Sequence, residues 1–580
     1  MKEQILDEFS IDRAWEHVLW LTENAPQRIS GSEDERTAAS YFKEKMDEYG
    51  LVTQVDVFDG YNSFPVGAEL KITSPQEREI DCAVCCHIAS TPPQGIQAEL
   101  VYVGAGGVDD YVGKDVQGKA VLAEISYAPP RPEKARIAAA HGAVALILMN
   151  WGLPEHGTMP LGAIKGVWGN PTPETMKQIP RMAALGITRR DGEYLRDLCQ
   201  QAEVRVWLRA EATQEWGPLH QPWGHIPGAV EPEKYLLVAG HFDAWRPGVT
   251  DNATGNATKL ELARIFAQHR SELRRGILFA FWTGHEIGDM EGSTWFLDNN
   301  WEDLNQNCTA YFNVDTVGMK GTTRYIVTSS AELIRFHQGV ERELFGKAST
   351  RRRLSRTGDQ SFLGIGIPSL YGQIHHTPEE IERWHNATLG WWWHSSEDTL
   401  DKVDKELFAR VMRTYAAYIS AFCTAPFLPV EFMSVADELE GRLKELQSQA
   451  GHALDLSAVV TKAQELREAA SRLDQFVVQE EAAAAEEDIQ PVNECLMRLS
   501  RILTPVSTTV VGKYGQDSYG LTAMTKPIPG LYEAGELGTL DSAEEAHKLL
   551  LTKLVRERNK VSDALSEARW HIDNLLRQGS

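Results

Sequence analysis

Apolar residues recur at helical spacing from Asp12 to Tyr49, first through AWEHVLWLTENA and again through ERTAASYFKEKMDEYG, where Gly50 stops the second helix. The alternating segment LVTQVDVF then predicts a strand. From about residue 62 to 215 short strands dominate, among them AELVYVG and KAVLAEI, with one helix, RPEKARIAAAHGA, running into the strand VALILMN. This block reads as a separate small α/β insert. Beyond Pro232 the pattern becomes strand, loop, long helix and strand, through YLLVAGHFDA, NATKLELARIFAQH and GILFAFWTG. That alternation predicts an α/β fold with an open, mostly parallel sheet and helices on both faces. After Pro429 the strand signal fades, and VADELEGRLKELQSQA and SAEEAHKLLLTKLVRERNKVSDALSEARWHIDNLL predict a helical C-terminal domain. Its acidic run EEAAAAEED reads as a solvated helix or linker. The expected division is residues 1–61 with 216–430, an insert over 62–215, and a helical domain over 431–580.

Composition narrows the function class. Of 580 residues, 42% are hydrophobic and 24% charged, which suits a chain that buries proper cores. With 82 acidic against 58 basic residues the formal charge is −24, which argues against a nucleic-acid partner, because phosphate backbones are held by clustered Lys and Arg. The amino terminus carries acidic residues where a secretory signal has a basic head, and no apolar run approaches the ~20 residues of a membrane span. A cytoplasmic protein without a membrane partner is expected. Seven cysteines, an odd count spread thinly, suit reduced thiols. Cys82, Cys85 and Cys86 precede His87 in DCAVCCHI, yet no second ligand pair follows at zinc-site spacing. Buried structural cysteines are the better reading.

Zinc sites need imidazole and carboxylate ligands projecting from strand ends and adjoining loops. Such residues follow apolar strands in order: His241 and Asp243 in LLVAGHFDAW, Asp251 in GVTDNATGNATKLELA, His285 and Glu286 in FAFWTGHEIGDMEGS, and Asp315 in AYFNVDTVG. Residues two apart on a strand share a face, so Asp243 is expected to orient His241 or shape the pocket around it. Later comes His394 in WWWHSSEDTLDKVD, where Asp398 and Thr399 signal a helix start. A lone His beside a strand is usually structural. Five ligand-type residues on consecutive strand ends of one α/β domain are a stronger pattern, since open sheets bind ligands there.

These residues resemble the zinc peptidases of clan MH, family M28, which includes bacterial aminopeptidases and glutamate carboxypeptidases. The resemblance spans about residues 10 to 430. It rests on the ordered set HxD, DN, E, D and H…DT, here His241-Phe-Asp243, Asp251-Asn252, Glu286, Asp315, and His394 with Asp398-Thr399. It implies two zinc ions, bridged by Asp251, one held by His241 and Asp315 and the other by Glu286 and His394, with a bridging hydroxide as nucleophile. The insert is similar to the protease-associated domain, and the helical tail is similar in position to the family's dimerisation domain. A cytoplasmic homodimer acting on a short peptide or an N-acyl or N-aminoacyl compound is the implied form. One position departs from the family: its general-base Glu, just before the metal-binding Glu, is here His285. An imidazole can do general-base work near neutral pH, but two adjacent cations would depress its pKa.

Substrate determinants are sparser. Asp359 and Gln360 lie in RTGDQSFLGIGIPSLYG, which resembles the segment lining the family's cleft. Trp391, Trp392 and Trp393 precede His394, and Trp282 and His375-His376 lie near other strand ends, as a pocket wall or as packing. Arg351, Arg352 and Arg353 are placed either to capture a substrate carboxylate or to form a basic surface run. Because of His285, two other functions stay open: a deamination or elimination on the same fold, and a metal-containing binding protein without catalysis.

Overall fold

The computed structural model describes residues 5–6, 8–356, 358–480 and 485–578. Residues 481–484 of the acidic run lie outside them. Among the described residues, one sheet orders its eight strands as Val52–Asn62, Glu215–Ile226, Arg275–Trp282, Glu231–His241, Cys308–Asn313, Ser369–His375, Arg324–Ser329 and Thr350–Arg353. The four strands from Arg275–Trp282 to Ser369–His375 run parallel. Arg275–Trp282 and Cys308–Asn313 are buried at every residue. Such strands read as continuous apolar runs because helices cover both faces of the sheet. On one face Phe42, Phe266, Tyr415 and Phe422 from three helices pack with Val238, Phe279 and Phe312 of the sheet. On the other, Phe296, Leu304 and Phe362 pack with Leu237, Ala280, Trp282 and Tyr311.

The chain leaves this sheet at Asn62 and rejoins it at Glu215, where the two strands pair antiparallel from Val52↔His225 to Asn62↔Glu215. The intervening segment forms a second eight-stranded sheet, whose strands Ile96–Tyr102, Ala120–Glu124, Ala145–Met149 and Ala183–Ile187 are parallel neighbours. Its helix Arg131–Ala140 carries Pro132 in the first turn, where a missing N–H costs no intrahelical hydrogen bond. Cys85 and Cys86 are buried just after the short strand Cys82–Val84, and all seven cysteines are free thiols.

The tail is helical, with Met433–Ala450, Ser457–Glu480, Glu486–Thr508 and Glu545–Gln578 as its long elements. Its apolar side chains, Leu443, Leu466, Leu499 and Leu565 among them, belong to the same buried cluster as Phe42, Phe266 and Tyr415 on the first sheet. Arg501 donates to the carbonyls of Leu304, Cys308 and Gly366, which ties the tail to the sheet domain. No helix of the described residues is long and apolar enough to cross a membrane.

Candidate metal centre

His241 is the last residue of its strand, and its Nδ1 lies 2.9 Å from the carbonyl oxygen of Asp243. Donating Nδ1–H there leaves the Nε2 lone pair free. The Asp243 carboxylate stands beside this ring, its Oδ1 3.8 Å from His241 Nδ1. Its Oδ2 accepts from Ser30 Oγ at 2.7 Å and from the Glu286 amide at 2.9 Å, and its Oδ1 accepts from the His285 amide. Burial raises its pKa. Asp243 therefore fixes the loop after the Arg275–Trp282 strand.

Asp251 sits in a loop held from two sides. Arg28, fully buried, donates to the carbonyls of Phe242, Pro247 and Gly248. Asp398 accepts from the amides of Thr250 and Asp251 and from Thr250 Oγ1. Burial pushes the Asp398 carboxyl up to about 6, against the pull of these donors. Thr399 precedes a short 3-10 helix, Leu400–Lys402, and the long helix starts further on. That helix begins at Lys405 and is capped by Asp404, because the Asp398 carboxylate is already occupied by the Asp251 loop.

The five candidate ligands converge. Asp251 Oδ1 lies 3.0 Å from His241 Nε2, and Asp251 Oδ2 lies 3.3 Å from His394 Nε2. Asp315 Oδ1 stands 3.3 Å from His241 Nε2, and Glu286 Oε2 stands 2.9 Å from His394 Nε2. Donor atoms of His241, Asp251 and Glu286 all fall within 4.8 Å of one another. His241 Nε2 and Glu286 Oε1 are buried yet make no aligned hydrogen bond. The second histidine depends on the insert, since His394 Nδ1 is 3.3 Å from the Leu161 carbonyl and 2.8 Å from Arg131 Nη2.

His285 stacks on His241 with ring centroids 3.8 Å apart, and its Nδ1 lies 3.2 Å from Asp359 Oδ1. Burial and His241 pull its imidazole down, but Asp359 and Glu286 outweigh them and hold it up at about 9. It lines a cavity of 340 Å³ together with Asp251, Glu286, Asp315, Trp393 and His394. Trp393 stacks on His394 at 3.3 Å, while Trp392 is buried and donates to Thr250 Oγ1. Trp391 stacks on His156, Trp282 is a core residue, and His376 packs edge-on against Trp384 and Trp392.

Gln360 is buried without reaching the cavity. Of the three consecutive arginines only Arg352 lines it, because strand alternation sends Arg351 and Arg353 to Glu438 of the tail. The cavity also takes Arg131 from the insert, Asp289 and Tyr371 from the sheet domain, and Tyr519 from the tail. Burial lifts the Asp289 carboxyl to about 6 against the pull of Lys165. Asp289 stood in the motif HEIGDME and could have been singled out there. Arg131 and Tyr519 had no local signal.

The family model for Peptidase family M28 matches residues 223–419, which contain all five converging residues, and the PA domain model matches residues 96–195. Residues 223–419 form an M28 peptidase domain. As an M28 peptidase it is a hydrolytic metallopeptidase. It is 24% identical to Aminopeptidase NAALADL1 of Rattus norvegicus, over 77% of this chain and 74% of that one. To Aminopeptidase YwaD of Bacillus subtilis (strain 168) it is 26% identical, over 69% of this chain and 82% of the relative. The M28 fold is shared with the crystal structure of a peptidase M28 precursor from Shewanella amazonensis, at a TM-score of 0.59, 18% identity and coverage of 72% and 95%. An aminopeptidase from Aneurinibacillus sp. strain AM-1 gives a TM-score of 0.55 at 23% identity, with coverage of 73% and 96%.

Proposed function

We propose that this M28 peptidase uses two zinc ions to hydrolyse amide bonds of small substrates, either short peptides or N-acyl and N-aminoacyl compounds. The observation that carries the reading is the Asp251 carboxylate, each of whose oxygens faces a different imidazole. On this reading Asp251 is the shared ligand, His241 and Asp315 complete one position, and Glu286 and His394 complete the other. Three buried carboxylates converging on one point call for cations between them, since unpaired buried charge is costly. Imidazole and carboxylate donors suit zinc, and the unaligned His241 Nε2 and Glu286 Oε1 fit the same demand.

Ions held there would polarise the scissile carbonyl and acidify the attacking water. We assign His285 the role of general base. Its Nδ1–H is taken by Asp359, which leaves Nε2 to accept the proton from water and pass it to the leaving amine. The value of about 9 set by the protein's own charges would fall toward neutrality beside two cations, into the range a base needs. Asp243 acts through the loop it fixes, holding the amides of His285 and Glu286.

Size selection follows from the cavity, whose 340 Å³ are walled by the sheet domain, the insert and the tail together. A reducing, cytoplasmic location fits the free thiols. The homodimer reading rests on apolar residues the tail leaves exposed, Val478 at 69%, Leu549 at 66% and Trp570 at 60%. Elemental analysis of the purified protein, combined with a screen of dipeptides and N-acyl amino acids, tests the central claim. Two zinc equivalents and chelator-sensitive amide cleavage are expected. Metal-independent turnover, or a product other than the two halves of the amide, would overturn it.

A further inference from the structure

A line of buried polar side chains runs from the insert to His285. Trp168 of the insert donates its indole N–H to Ser361 Oγ at 2.8 Å, and Ser361 Oγ lies 2.8 Å from Ser293 Oγ. Ser293 Oγ reaches Asp359 Oδ1 at 3.4 Å, and Asp359 Oδ1 meets His285 Nδ1 at 3.2 Å. Trp168 is 3% exposed, and Ser293, Ser361 and Asp359 are fully buried. At that depth bulk water does not substitute for a missing partner, so the groups depend on one another.

The chemistry of the two ends fixes the direction of these hydrogen bonds. An indole N–H can only donate, and a carboxylate can only accept. With one Ser361 lone pair taken by Trp168, the Ser361 proton goes to the nearer hydroxyl, Ser293, and Thr294 Oγ1 at 3.2 Å donates to the lone pair that remains. Ser293 then has its own proton to give. It reaches the Met290 carbonyl and Asp359 Oδ1 alike at 3.4 Å, and the charge on the carboxylate favours Asp359. Oδ1 of Asp359 thus takes both Ser293 and His285, while its Oδ2 is buried without a partner. The tail closes over the same point. Gln516 donates to the Ser361 carbonyl at 3.1 Å, and Arg356, 3.6 Å from Asp517, lies over the Trp168 ring at 4.9 Å.

We infer that Trp168 and Ser361 are positioning residues for the base. Through Ser293 they hold the Asp359 carboxylate where it fixes the ring plane and tautomer of His285, so the base is set only when the insert is seated on the sheet domain. The inference rests on the general-base reading of His285. It is tested by steady-state kinetics of the zinc-loaded full chain on the best-cleaved amide of the dipeptide and N-acyl screen. The variants are Trp168→Phe, which keeps a ring and loses the N–H, Ser361→Ala, and Ser361→Thr. Trp168→Phe and Ser361→Ala should each lower kcat by about 10-fold, the low end for outer partners of a site, with KM and zinc content unchanged. Ser361→Thr keeps a hydroxyl and should recover most of that loss. In a His285→Ala background the first two changes should have no further effect, because no ring is left to position. Equal losses in both backgrounds, or losses carried by KM or zinc content, make these residues structural and overturn the inference. An unchanged kcat in Trp168→Phe and Ser361→Ala, with His285→Ala still about 100-fold or more below the wild type, overturns it as well and leaves the base reading standing. If His285→Ala matches the wild type, the base reading falls and this inference falls with it.

Discussion

Asp359 Oδ1 lies 3.2 Å from His285 Nδ1, joining two residues 74 positions apart at the edge of the ligand cluster. If this pair sets the tautomer of a general base, His285→Ala should lower turnover by roughly 100-fold to 10,000-fold with metal content unchanged. Asp359→Asn should cost less, roughly 10-fold to 100-fold, as outer partners of a site usually do. His285→Glu should preserve or raise amide hydrolysis, since a carboxylate becomes neutral rather than cationic on taking the proton. Unchanged rates in both His285 variants would remove this residue from the mechanism.

Asp251→Ala should empty both metal positions, because one carboxylate faces both imidazoles. Inductively coupled plasma analysis should then find well under one equivalent of zinc. Retention of two equivalents would refute a shared ligand.

Arg28→Leu should destabilise the fold by at least about 3 kcal/mol, because it strands buried carbonyls of Phe242, Pro247 and Gly248. The same loop carries Asp251, so zinc affinity should fall with stability. Urea unfolding and a zinc titration measure the two effects, and a variant as stable as the wild type would contradict the assigned role.

His17 gives a pH dependence unrelated to the cavity. Burial, aided by Lys45, lowers its pKa to about 4, and its Nδ1 lies 2.6 Å from the Tyr41 hydroxyl. The unfolded chain, with a His pKa of about 6.5, takes up the proton first as pH falls. Stability from this group is therefore complete above pH 6.5 and lost progressively toward pH 4, by about 3 kcal/mol in all. His17→Gln should flatten that part of the profile of unfolding midpoint against pH, and an unaltered slope would show that other groups set it.

Truncation near residue 430 should give an insoluble or inactive protein. It removes Tyr519 from the cavity and the Arg501 contacts, and it opens the buried cluster shared with the tail. A soluble, monomeric and fully active fragment would show that the tail is dispensable.

The order of ligand-type residues was legible in the sequence because each follows a run of buried strand residues, and strand exits in an open parallel sheet converge on one edge. His241 ends its strand, and Asp315 stands just past Cys308–Asn313. The insert was legible too, since its short strands differ in period and length from the helices around it. Other features needed tertiary structure. His394 meets Arg131 across 263 positions, and Tyr519 reaches the cavity from the far end of the chain. Such contacts leave no periodicity to read. Asp398 and Thr399 marked a helix start, met by the short 3-10 helix after Thr399, but that the Asp398 carboxylate also holds the Asp251 loop, 147 positions away, left no local sign. Three adjacent arginines looked equivalent until strand pairing gave each a face, with Arg352 toward the cavity and its neighbours toward Glu438. Local pattern determines which segments become strands and helices. Which side chains share a cavity is decided only when distant segments pack, because burial and charge pairing there depend on partners hundreds of residues away.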